Sequence, residues 1–473
     1  MIFTTLGSIY MAQKRTTAQK TIKKAQTRIV RTERHARNIA KSILNYKRFN
    51  RFLRVLGPGV VTGAADDDPS GIATYSQAGA LYGFNLLWAF PFMFPLLLAV
   101  QESCARIGAI TGKGLAAVIR DNYSKKLLYM AVSLVVVANT INIGADLGAM
   151  ATTMQLFVNI SFAWLAVFFA VIILILEIFV QYKTYTRILK WLALALLAYP
   201  VTAVLVGQDW GAVARATIHP SIKFDTNMLY ILVGMLGTTI SPYLFFWDTS
   251  EVVEDEIMHR RVTESAKREP KITKHFLHSI RVDNFTGMLI ASLGAWFIVV
   301  TCASVLHYNG ITEINTAADA ARALEPLVQN FPNAGLIAKI IFSVGILGLG
   351  LLAVPVLAGS SSYALSETLR WKEGLHRRYQ RAVGFYGIII VATLTGLAIN
   401  FLGIDPIKAL VFAAVFNGVS AVPLLLLIAK IGNNKAIMGE HKNGVLSNIF
   451  VRLAFVVMLG AALFMFYAMF KHL

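Results

Sequence analysis

Stretches of apolar residues long enough for a helix to cross a bilayer, about 20 residues for a core about 30 Å thick, recur along this chain from residue 55 to its end. Inside hydrocarbon every backbone N–H and C=O must be satisfied within the protein, so spans of this length are helices. Composition agrees: 56% of the 473 residues are hydrophobic and only 15% are charged, whereas a soluble domain carries about a quarter charged. Spans are read at 55–82, 85–108, 127–156, 160–181, 184–206, 226–250, 283–306, 335–366, 382–402, 406–430 and 448–470. Turn-forming clusters such as Tyr82-Gly83-Phe84-Asn85 and Gly432-Asn433-Asn434 separate them. The pattern predicts an all-α membrane protein of about eleven transmembrane helices.

Charge predicts the orientation. With the N-terminus in the cytoplasm and alternating sides, 37 of the 44 Lys/Arg fall in inner segments and the span ends beside them. Five, namely Arg215, Lys223, Arg322, Lys408 and Lys471, fall outside. This is a strong positive-inside asymmetry, and a single miscounted span would scramble it. It predicts an inner (plasma) membrane protein of a bacterium, with its C-terminus outside. Of the net charge of +19, the first 54 residues supply most, with 14 Lys/Arg and one acid, Glu33. Residues 1–54 are read as a cytoplasmic tail drawn to anionic lipid; no nucleic-acid fold accompanies the arm, so it is not read as a nucleic-acid binder. The charged segment 251–282 is read as a solvated inner loop. Cys104 and Cys302 sit in apolar surroundings and are read as packing residues. The short apolar start at Met1–Met11 is followed, not preceded, by positive charge, so it is not read as a cleavable signal peptide.

Chemistry concentrates in the first span, which runs Gly57-Pro58-Gly59-Val60-Val61-Thr62-Gly63-Ala64-Ala65-Asp66-Asp67-Asp68-Pro69-Ser70-Gly71. Each aspartate at a helix centre costs about 2.5–3.5 kcal/mol on insertion scales. Pro69 removes a backbone donor and disfavours helix in the residue before it. Two half-helices meeting near Asp68-Pro69 are therefore expected. Irregular backbone at such depth persists only where protein or a wet cavity lines it, and carboxylates with free carbonyls there make a cation site. The competing reading puts Asp66–Asp68 in headgroups at a span end; it requires the span to start well after Val55, while apolar residues continue to Trp88.

The sixth span carries a second break, Gly234-Met235-Leu236-Gly237-Thr238-Thr239-Ile240-Ser241-Pro242-Tyr243. Taken alone it is equally a simple proline kink. Paired with the first break five spans earlier, it matches the corresponding broken helices that mark transport sites in inverted-repeat transporters. Asp146, beside Asn139 and Asn142 in span three, is read either as a proton relay or outer partner of the site, or as a polar group facing a neighbouring helix. Glu102, Asp248 and Glu251, toward the cytoplasmic ends of spans two and six, are read as interfacial and not as ligands, with lining of the exit as the alternative.

These motifs resemble the natural resistance-associated macrophage protein (Nramp) family of divalent metal transporters. Asp68-Pro69-Ser70-Gly71 resembles the family's Asp-Pro-Gly-Asn break, with Gly57-Pro58-Gly59 at the family's spacing. Gln101-Glu102, Ile110-Thr111-Gly112-Lys113-Gly114-Leu115-Ala116, Leu349-Gly350-Leu351-Leu352-Ala353 and Ala358-Gly359-Ser360-Ser361-Ser362 extend the likeness over residues 55–470. The resemblance implies an inverted repeat of five plus five helices: 55–206 as the first repeat, 226–430 as the second, and 448–473 as an added helix. It implies a metal held by Asp68 and by the Thr238 carbonyl. At the family's asparagine stands Gly71, and at its methionine Ser241. Loss of the thioether leaves an all-oxygen site, which suits Mg²⁺ or Mn²⁺ over softer ions; a magnesium-transporting branch of the wider family also lacks that methionine. Asp66 and Asp67, in place of bulky residues, add charge that can hold a hydrated cation through water. The family's histidine after the second-break proline is Tyr243, read here as a packing residue, and its acidic pair in span three is Asp146 followed by Ala149, so half of the family's proton route is missing.

The sequence thus predicts a secondary transporter of divalent cations (Mg²⁺ or Mn²⁺, with Fe²⁺ as a further candidate) without a cofactor. The alternative is an ion-coupled transporter of a small cationic or neutral organic solute on the same fold. An enzyme is not expected, since the spans hold no metalloprotease spacing and no nucleophile elbow.

Overall fold

The computed structural model describes residues 62, 63, 65–180, 194–221, 225–258 and 274–471. The basic arm, the start of the first span and the first half of the fifth lie outside the described residues, as does the anionic-lipid contact expected of the arm.

The longer helices, in chain order, are α1 Pro69–Tyr82, α2 Ala89–Thr111, α3 Leu115–Asn122, α4 Lys125–Met154, α5 Phe162–Phe179, α6 Ala198–Leu205 and α7 Trp210–Ile218. They continue with α8 Thr226–Thr239, α9 Pro242–Met258, α10 Lys274–Val305, α11 Ala334–Leu369, α12 Val383–Ile399, α13 Pro406–Asn433 and α14 Val445–Lys471. Among the described residues nine helical stretches are long and apolar enough to cross a membrane, α8 and α9 counting together as one. Strands are absent among the described residues.

Helix limits follow local chemistry. Asp68 caps α1 with its side chain while Pro69 fills the first helical position, where its missing N–H is harmless. Gly112 ends α2 in the left-handed conformation that favours glycine. Two expectations shift: α9 runs on to Met258 and α10 begins at Lys274, so much of the segment read as an inner loop is helix, which leaves 259–273 outside the described residues.

Packing centres on α4, which lies along α11, α12 and α13, while α8 crosses α13, and α10 lies along α1 and α2. The α8–α13 crossing is close because both sides are small: a Cβ on Gly237 would land on the Ala414 carbonyl and the Gly418 backbone. Membrane helices associate through such close backbone approach, not through a hydrophobic drive. Helices α5 and α14 expose apolar side chains instead; Trp164 is 71% exposed and Phe470 74%, which fits a lipid-facing surface.

Candidate functional site

Both expected breaks are present. A short helical turn reaches Asp66, the chain bends at Asp67, and α1 begins at Pro69. The second break lies between Thr239 and Pro242. A helical carbonyl ordinarily accepts from the N–H four residues on, so Pro69 leaves the Ala65 carbonyl without its partner, and Pro242 does the same to Thr238. Both carbonyls are taken up by hydroxyls. Tyr243 donates to the Ala65 oxygen at 2.9 Å, and Ser241 donates to the Thr238 oxygen at 2.7 Å and to Gly237 at 2.9 Å.

Asp68 is the best-held group at the first break. Its Oδ1 accepts from the Ser70 hydroxyl at 2.6 Å and the Gly71 N–H at 2.8 Å, and its Oδ2 accepts from Asn142 at 2.8 Å. The carboxylate keeps further acceptor capacity beyond these three donors. Gly71 brings the two breaks together: a Cβ there would lie 3.0 Å from Thr238 Oγ1 and 3.6 Å from Asp68 Oδ1. The Thr238 hydroxyl is buried and has no hydrogen-bond partner within the protein. A second bond across the breaks joins Tyr75 to Thr239 at 2.8 Å; since Thr239 already donates to Met235, Tyr75 is the donor.

The three aspartates do not converge. Asp66 is buried with Oδ1 unpartnered, whereas Asp67 Oδ2 would lie 3.1 Å from a Cβ on Gly294 of α10, so it faces that helix. Among the described residues no three His, Cys, Asp or Glu side chains are arranged to hold one metal ion. Asp146 is fully buried, neither of its oxygens has a partner, and it lies within electrostatic reach of Asp68. The residue that contacts Asp68 is Asn142, one helical turn earlier on the same face of α4. Sequence reasoning missed Asn142 and Ser70 as holders of Asp68; the four-residue spacing of Asn142 and Asp146 was the available signal for the first. Tyr243, read as a packing residue, also bonds into the first break.

Glu102 and Asp248, expected at an interface, are buried in the protein. Glu102 accepts from Arg281 at 2.6 Å and 2.9 Å, and Asn284 lies 3.4 Å from Asp248. Two cavities flank the breaks along the helices. One, of about 450 Å³, lies at the far end of α1 between Gln77, Tyr230 and Glu313. The other, of about 590 Å³, lies at the far end of α9 and is lined by Glu254, Glu367 and Glu373 among others. There Glu367 accepts from Ser250 and from the Ala117 N–H, each at 2.9 Å, and Glu254 accepts from the Leu375 N–H at 2.6 Å and from Tyr363. Glu373, beyond the end of α11, is pushed up to about 9 by burial and by the neighbouring Glu367 and Glu254 carboxylates.

Comparison with known proteins places the chain in a family and a fold. The profile of natural resistance-associated macrophage protein-like proteins matches residues 59–468. A divalent metal cation transporter MntH of Yersinia pestis (strain Pestoides F) is 25% identical over 416 residues, covering 86% of this chain and 93% of the relative. The MntH of Klebsiella pneumoniae (strain 342) is 26% identical over 400 residues, covering 83% and 88%. Among solved structures, a manganese transporter of Eremococcus coleocola superposes with a TM-score of 0.68 at 17% identity, over 88% of this chain and 86% of that one. MhsT, solved with L-phenylalanine, superposes with a TM-score of 0.56 at 12% identity, over 87% and 98%. At these identities the solved structures speak for the fold alone.

Proposed function

The chain belongs to the natural resistance-associated macrophage protein-like family, and on that premise we propose that it carries divalent metal cations across a bacterial inner membrane by alternating access, with Mg²⁺ or Mn²⁺ as the favoured cargo. Like the rest of the family it is a transporter and not an enzyme. The observation that carries the reading is the setting of Asp68: one buried carboxylate, held by Ser70, Gly71 and Asn142, opposite an unpartnered Thr238 hydroxyl across two broken helices. Metal-ligating carboxylates are held in this way by hydrogen-bonded neighbours.

In this reading Asp68 binds the ion directly, with Thr238 and Ser241 offering neutral oxygens, Gly71 leaving room, and Asp66, Asp67 and Asp146 acting at longer range. An all-oxygen donor set suits a hard cation, and a site with few protein ligands suits Mg²⁺, which keeps several of its waters. The two cavities serve as the approaches on either side, the one at the far end of α9 being cytoplasmic by the positive-inside pattern. The halves 55–206 and 226–430 form the inverted repeat, with 448–473 appended; the corresponding placement of Pro69 and Pro242 supports this.

Uptake into proteoliposomes, measured across Mg²⁺, Mn²⁺, Fe²⁺ and Ca²⁺ with and without a pH gradient, tests the reading. The expected result is saturable Mg²⁺ or Mn²⁺ uptake. Uptake of a labelled organic cation that no divalent metal inhibits would instead support the solute-transporter alternative.

A further inference from the structure

Tyr243 opens α9 directly after the second break, and its ring is fully buried. Its backbone carbonyl accepts from the Ser360 hydroxyl at 2.8 Å, which fixes the first turn of α9 against α11. Its own hydroxyl crosses to the first break and donates to the Ala65 carbonyl at 2.9 Å. That carbonyl is the one left over by Pro69. The phenol lies within electrostatic reach of the Asp66, Asp68 and Asp146 carboxyls and beside the Ser241 hydroxyl, so the bond is made near these groups and not on a remote face.

Unwound carbonyls at a helix break are natural cation ligands. Of the two carbonyls released by the prolines, Thr238 is tied by a hydroxyl within its own break, while Ala65 is tied from the opposite break. A donated hydrogen occupies one lone pair of the carbonyl and sets a partial positive charge where a cation would approach. The ring is fully buried and its backbone is tied to α11 by Ser360, so the hydroxyl has less freedom to swing away than one on the surface.

We infer that Tyr243 is a positioning residue that sets cargo selectivity: its hydroxyl holds the Ala65 carbonyl out of direct coordination, so that a cation at Asp68 keeps a water on that side. The inference rests on the divalent-cation reading above and deepens it. A Mg²⁺ ion, which sheds water reluctantly, loses little by this arrangement. Ions that dehydrate more readily lose a ligand they would otherwise gain.

Calorimetry on the purified full chain with Mg²⁺ and Mn²⁺ tests it. Tyr243→Phe removes one oxygen and keeps the ring. The expected result is that both ions still bind and that the ratio of Mn²⁺ to Mg²⁺ affinity rises about tenfold, the lower end of what outer-sphere changes do at metal sites. An unchanged ratio overturns the inference. So does a parallel loss of both affinities, which is what a purely structural tyrosine would give. The wild-type protein offers a test that needs no variant: pulsed EPR of bound Mn²⁺ in D₂O should show at least one exchangeable water, and a fully dehydrated Mn²⁺ overturns the inference. Should the wild type bind neither ion, the cation reading itself falls and takes this one with it. Binding that survives in the wild type but vanishes in Asp68→Ala, with the Tyr243→Phe ratio unmoved, leaves the site standing and removes only the role of Tyr243.

Discussion

At the first break the chain supplies three carboxylates, and at the second it supplies hydroxyls and carbonyls and no charge. The local rule is the same in both. A proline strips a donor from the helix, the carbonyl four residues earlier is released, and a hydroxyl takes it up. The outcomes differ because of what surrounds the released backbone. Asp68 is fixed by three donors from two helices, whereas Ser241 turns back on its own helix. Under the proposed function the difference is a division of labour, in which the first break sets whether a cation binds at all and the second sets which one.

That division can be broken experimentally. Replacing the charge should have the largest effect. Asp68→Ala is expected to reduce metal uptake to background while the purified protein stays monodisperse; losing the cap of α1 costs only about 1 kcal/mol. Normal uptake by this variant would end the argument. Next comes the packing that brings the second break to the first. Gly237→Ala should lower stability by about 3 kcal/mol, because its methyl meets backbone of α13 that cannot yield; a melting temperature equal to wild type would show that the crossing is looser than described.

Smaller effects discriminate between holders and ligands. Asn142→Ala should weaken metal binding roughly tenfold to a hundredfold by freeing one oxygen of Asp68, and titration calorimetry reads this directly. If Asn142→Ala matched Asp68→Ala in severity, Asn142 would be a ligand itself. At the second break, Ser241→Met should leave Mg²⁺ binding nearly intact and favour Cd²⁺ over Mg²⁺ by roughly tenfold, since a thioether suits softer ions. An equal change for both ions would mean that the second break contributes volume and not donor chemistry.

The weakest effect lies away from both breaks, in the cavity at the end of α9. Glu373 has its proton held to about 9 in the folded protein against a usual value of 4.5. Between those values the folded state binds the extra proton, so the associated stability is fully present in acid and is lost as the pH rises through about 9. Glu373→Gln should flatten that decline in a series of melting curves. An identical slope in the variant would place the pH response elsewhere.

Much of this was legible in one dimension. Hydropathy gave the long apolar helices seen among the described residues, and Pro69 and Pro242 gave both breaks, because a missing N–H acts on its own helix without help from the rest of the fold. The burial of Asp68 beside a break, on which the proposed cation site rests, follows from the expense of a charge at that depth. The ends of the segment 251–282 depart from the loop that its charges suggest, because α9 and α10 continue as helix into it. Asn142 was overlooked in favour of Asp146 because a carboxylate draws notice that an amide does not.

The sequence alone determined that the chain is a bundle of membrane helices, that two of them are interrupted, and that one interruption is acidic; each is a local consequence of residue type and spacing. Only the tertiary structure decided that Asp67 turns to α10 while Asp68 meets Asn142, and that Tyr243 reaches across to Ala65. Those choices depend on how closely helices far apart in sequence approach one another, and that distance is set by the side chains of both partners at once.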